Sequence, residues 1–84
     1  MNISKYEQRA LHTLAQGGEI QFRREKSRVV EANCFSREGY LLEDFSLSLF
    51  KQLLRRGFIR SQNGKPYRIT QLGRQSVRAQ INNR

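Results

Sequence analysis

Nine of the sixteen Lys and Arg residues in this 84-residue chain lie beyond Asp44, its last acidic residue. Within that stretch Ser48, Lys51, Gln52, Arg55 and Arg56 recur at helical spacing. Their types suit a phosphate-bearing duplex: Arg bonds guanine bidentately, Gln bonds adenine, and Lys and Ser reach phosphate oxygens. A second polar group, Arg60, Asn63, Lys65 and Arg68, follows around an Asn-Gly turn, where it can grip the backbone or enter the minor groove. The first 44 residues carry seven basic and seven acidic side chains, so the formal charge of +9 belongs entirely to the second half. Charge so one-sided favours a polyanionic partner and predicts binding to duplex DNA.

Other chemistry has little to work with. His12 is the only histidine, and no Asp or Ser is spaced to act with it. Cys34 alternates with Val30 and Ala32, the pattern of a buried small hydrophobe rather than a nucleophile. As the only cysteine, it excludes an internal disulfide and a multi-cysteine zinc site. Gly17-Gly18 lacks the lysine and the spacing of a phosphate loop. These residues predict no enzyme, no metal site and no cofactor. The longest apolar run, Tyr40-Leu41-Leu42, is too short for a membrane span or a signal-peptide core, so a cytoplasmic protein is expected.

The elements that must position the basic residues can be read from periodicity. Ser4-Lys5-Tyr6-Glu7 forms a capping box that opens a helix over residues 5–16, with Tyr6, Ala10, Leu11, Leu14 and Ala15 on its apolar side. Gly17-Gly18 stops it. Ile20 and Phe22 alternate with polar residues, and after Glu25-Lys26-Ser27 the set Val30, Ala32 and Cys34 shares one face, which predicts a β-hairpin. Ser36-Arg37-Glu38-Gly39 is a second turn, and Tyr40-Leu41-Leu42 a short third strand; a helix from Ser36 is the alternative. Ser46 caps the next helix and Gly57 ends it. At about 100° per residue, Leu47, Leu49, Phe50, Leu53 and Leu54 occupy an arc of roughly 160°, opposite the polar set. Arg55 and Arg56 lie off this arc, so replacing them is expected to spare the fold.

Phe58-Ile59-Arg60 and Tyr67-Arg68-Ile69 then read as paired strands, with Pro66 at the start of the second. Thr70 caps a last helix to about residue 82, burying Leu72, Val77, Ala79 and Ile81 and turning Arg74, Gln75 and Arg78 outward. The order α-β-β-(β)-α-β-β-α predicts an α+β, winged-helix-like domain over residues 1–84, with a hairpin inserted after the first helix. Its core should centre on Phe50, Leu53 and Leu54, against Leu11, Leu14, Ile59 and Ile69.

Several strings carry a resemblance. Glu7-Gln8-Arg9 with Leu11-His12, Gly17-Gly18, the 34–39 stretch, Asn63-Gly64-Lys65-Pro66-Tyr67-Arg68-Ile69 and Val77-Arg78-Ala79-Gln80, closing at Asn83-Arg84, resemble the YjhX family of small bacterial proteins over essentially the full length. The resemblance implies a toxin of a type II toxin–antitoxin pair, a DNA topoisomerase inhibitor, with an acetyltransferase-like antitoxin as partner. It brings no residue roles with it. Two mechanisms remain open at this level: action through DNA itself, or docking of the basic face on a topoisomerase or the antitoxin without DNA.

Overall fold

A computed structural model of the protein describes residues 3–82, with side chains up to residue 77. Its order is α1 (Lys5–Ala15), β1 (Glu19–Glu25), β2 (Arg28–Phe35), α2 (Leu47–Arg55), β3 (Ile59–Arg60), β4 (Arg68–Ile69) and α3 (Gln71–Asn82). The α+β class and the element order agree with the sequence reading.

Each helix starts where a side-chain oxygen satisfies an otherwise orphaned amide. The Ser4 hydroxyl accepts from the Glu7 amide at 3.1 Å, while the Ser4 amide donates to Glu7 Oε1 at 2.7 Å. Ser46 accepts from the Leu49 amide at 3.1 Å, and Thr70 from the Gly73 amide at 3.1 Å. Thr70 also donates to the Gly57 carbonyl at 2.7 Å, which fixes the start of α3 against the end of α2.

β1 and β2 form an antiparallel hairpin in which Ile20 faces Cys34 and Phe22 faces Ala32. Register shifts between Arg23 and Arg24, and Glu25 then pairs with Arg28 across the two-residue turn Lys26-Ser27. β3 and β4 form a second antiparallel pair, Ile59 with Ile69 and Arg60 with Arg68. Among the described residues one β-bridge joins the backbones of the two hairpins: Ile20 and Tyr67 exchange both hydrogen bonds at 2.9 Å. The third strand reduces to a bridge between Leu41 and Phe35, and the alternative helix from Ser36 does not form. Tyr40 is 74% and Leu41 54% exposed, and of the three residues only Leu42 packs against the core.

The core gathers Ala10, Leu11, Leu14, Ile20, Ala32, Cys34, Phe50, Leu53, Phe58, Ile59, Tyr67 and Val77. Tyr67 packs edge-on against Phe22 and Phe50, with centroids 5.2 and 4.9 Å away, and so links both hairpins to α2. Three expected core members are not in it. Leu54 is 41% exposed, Leu72 42% and Tyr6 50%. Each sits at the margin of its apolar arc, where a domain this small has no further layer to cover it. Ile69 is half-buried at the edge of the core. The expected burial of Ala79 and Ile81, and the outward face of Arg78, lie outside the described side chains.

Candidate nucleic-acid interface

The nine polar residues singled out in the sequence divide into two groups. On α2, Ser48, Lys51 and Arg55 are exposed and make no side-chain hydrogen bond or ion pair among the described residues. Gln52 and Arg56 turn instead toward α1. The Arg56 guanidinium donates to both oxygens of the Glu7 carboxylate at 2.9 Å, and Gln52 Nε2 donates to Oε2 at 3.1 Å. Arg56 also lies 4.8 Å over the Phe58 ring. Their positions on the polar arc, roughly 240° and 280° by the count of 100° per residue, place them at the border facing α1. The remaining free arc is Ser48, Lys51 and Arg55.

The second hairpin shows the same division. Its tip is a tight turn in which the Lys65 amide donates to the Gln62 carbonyl at 3.0 Å. Both central residues have positive φ, 56° at Asn63 and 76° at Gly64, the conformation that an Asn-Gly pair tolerates. Arg60, Asn63 and Lys65 are exposed. Arg68 is held: it donates to the Gly17 carbonyl at 3.2 Å and the Gly18 carbonyl at 3.5 Å, and pairs with Glu19 at 3.2 Å. The guanidinium thus sits just past the C-terminus of α1, at the negative end of its dipole. Arg74 adds a longer bond to the Ala15 carbonyl at 3.4 Å. The exposed face of this hairpin borders a hollow of about 470 Å³ lined by Arg60, Gln62, Lys65, Pro66, Arg68 and Ile69.

Glu7 is the residue that sequence reasoning placed too narrowly. It was read as half of a capping box, and that geometry is present. It is also 1% exposed and receives hydrogen bonds from Ser4, Gln52 and Arg56. The available signal was its position: at 3.6 residues per turn Glu7, Ala10, Leu11 and Leu14 share the buried face of α1. The burial of Cys34 agrees with its alternation with Val30 and Ala32. His12 is exposed on α1, and Cys34 is fully buried, its thiol pushed up to about 12 by burial. No helix among the described residues is long and apolar enough to cross a membrane.

Exposed basic groups on α2 and on the hairpin that follows it give this small α+β domain a positively charged surface. A family profile described as "Putative toxin of bacterial toxin-antitoxin pair" matches residues 1–84. The chain belongs to this family, the YjhX toxins. It is 56% identical to a UPF0386 protein of Brucella anthropi, with all of both chains covered. It is 52% identical to one from Aliivibrio fischeri, again over both full lengths, and 49% identical to one from Caulobacter vibrioides, covering 93% of that protein. No solved structure matches. The family's description assigns its members to the toxin side of a toxin–antitoxin pair, which implies an antitoxin as partner.

Proposed function

We propose that this toxin is a non-enzymatic, cytoplasmic protein that acts by binding duplex DNA in a winged-helix manner, and so interferes with DNA topology or transcription. One observation carries the reading. Lys51, Arg55, Arg60 and Lys65 are exposed on α2 and the second hairpin and have no acidic partner among the described residues. Unpaired surface cations repel one another in the free protein, and phosphates relieve that repulsion. Ser48 and Asn63 add donors beside them. Gln52, Arg56 and Arg68 serve the fold first.

Titration of purified protein with duplex DNA, free of other proteins, tests the proposal. Four neutralised phosphates contribute a slope of about −3.5 to log affinity against log salt. The double variant Lys51→Ala/Arg55→Ala should bind more weakly with a shallower slope and an unchanged fold. Protein that fails to shift duplex DNA at low salt, yet binds a topoisomerase or its acetyltransferase-like antitoxin, would assign the basic face to a protein partner.

A further inference from the structure

The first hairpin carries a cluster that the reading above does not use. Its base packs on the core through Ile20, Ala32 and Cys34, but every residue from 23 to 28 is exposed. Beyond the Phe22–Ala32 pair, three residues of β1 and the two-residue turn continue as a free ribbon. At about 3.4 Å per residue this extension is roughly 10 Å long. A DNA major groove is about 8.5 Å deep and about 12 Å wide, and it accepts a two-stranded ribbon.

The charges on the ribbon are only partly paired. Arg23 donates to Glu25 at 2.6 Å and to Glu31 at 3.1 Å, so one face carries a cation held between two carboxylates. These partners hold the Arg23 pKa above its ordinary value. The register shift after Arg23 leaves Val30 unmatched and sets Arg24 opposite Val29, on the same face as Phe22. The Arg24 guanidinium lies 5.5 Å over the Phe22 ring, which braces it without neutralising it. Lys26, in the turn with φ 60°, and Arg28 have no ion-pair partner among the described residues. Arg24, Lys26 and Arg28 are therefore three uncompensated cations within five positions, on a ribbon of groove dimensions.

We infer that this hairpin is a second DNA-contacting arm whose tip cations, Arg24, Lys26 and Arg28, bind phosphates, Arg28 reaching them from the face it shares with its register partner Glu25. The inference rests on the DNA-binding reading above, and extends it to a surface on the neutral half of the chain. The arm grips the backbone rather than reading bases, because the side chains it offers are point cations and a guanidinium already stacked on Phe22.

Salt-dependent titration of the full-length protein with duplex DNA tests it. The triple variant Arg24→Ala/Lys26→Ala/Arg28→Ala should show a slope shallower by about 2 to 3, at about 0.9 per lost phosphate contact. Its thermal unfolding should stay near that of the parent, since all three side chains are exposed. Glu25→Gln supplies a readout of opposite sign: removing a carboxylate beside the phosphates should tighten binding several-fold, whereas a purely structural hairpin would gain nothing. If the triple variant keeps the parent's slope while Lys51→Ala/Arg55→Ala loses affinity, the arm is refuted and the helix-and-wing reading stands. The reverse pattern keeps the arm and refutes the helix. A parent protein that binds no duplex DNA overturns both, and loss of antitoxin binding alone in the triple variant assigns the arm to a protein contact.

Discussion

Arg56 and Glu7 form a charge pair at 2.9 Å between α2 and the first turn of α1, with the carboxylate 1% and the guanidinium 25% exposed. Taking either partner away leaves a charge in a site built for two. Arg56→Ala should cost about 3 kcal/mol, the low end for breaking a buried pair, because Ser4 and Gln52 still donate to Glu7. Arg55→Ala, one residue earlier and fully solvated, should change stability by less than about 0.5 kcal/mol. At about 4–8 °C per kcal/mol, thermal unfolding separates the two neighbours readily. The expectation that both can be replaced without harm rests on a solvent-facing position, which Arg55 has and Arg56, paired with Glu7, does not.

The adjacent leucines of α2 should differ as sharply. Leu53 is fully buried and Leu54 is 41% exposed. Leu53→Ala removes core atoms and leaves a cavity, at a cost of about 2–5 kcal/mol. At about 4–8 °C per kcal/mol, the variant should melt roughly 10–40 °C below the parent. Leu54→Ala should stay within about 1 kcal/mol of the parent. Denaturant midpoints for both would check the assignment of the core.

Gly73 sits in α3 where the helix crosses the base of the second hairpin. A Cβ there would stand 2.5 Å from the Phe58 carbonyl oxygen and 2.7 Å from Ile69 Cγ1. Alanine ordinarily strengthens a helix by about 1 kcal/mol over glycine. Here the obstacle is backbone oxygen, which cannot rotate aside, and overpacking of this kind costs about 1–3 kcal/mol. Gly73→Ala should therefore lower the melting temperature despite its better helix propensity.

Burial holds the Cys34 thiol protonated up to about 12, above its ordinary 9.0. The folded state thus binds this proton more tightly than the unfolded chain does. Its contribution to stability is complete below about pH 9 and is lost as pH rises toward about 12. Alkylation by iodoacetamide at pH 8 should be slow in native protein and fast in denaturant. Stability measured from pH 8 to 11 should fall less steeply in Cys34→Ala than in the parent, the difference isolating this thiol.

Local rules carried the sequence reading a long way. Three serine or threonine caps, the Asn63-Gly64 turn and the alternation of Ile20, Phe22, Ala32 and Cys34 are each set by residues within a few positions, and all appear in the structure. The contacts that escaped join residues far apart. Nothing near Glu7 indicates that Gln52 and Arg56 will meet it, and nothing near Arg68 points to the carbonyls of Gly17 and Gly18. Helical angle alone separated polar from apolar positions on α2. It could not separate a polar side chain facing solvent from one facing a buried carboxylate on another helix.

Those distant contacts bear on how the chain is made. Glu7 is joined to Gln52 and Arg56 across 45 and 49 positions, and Arg68 to Gly17 across 51, in a chain of 84. The β-bridge between the two hairpins, from Ile20 to Tyr67, is of the same span. The first half therefore contains a carboxylate that cannot be buried, and a hairpin with little to pack on, until the second half has left the ribosome. Each such closure costs chain entropy before any packing returns it. A fragment ending at residue 46 should show neither cooperative unfolding nor dispersed amide resonances. Translation thus sets a delay: the nascent chain has no competent half-finished form, and whatever this toxin does in the cell begins only once residue 68 is free to close on the end of α1.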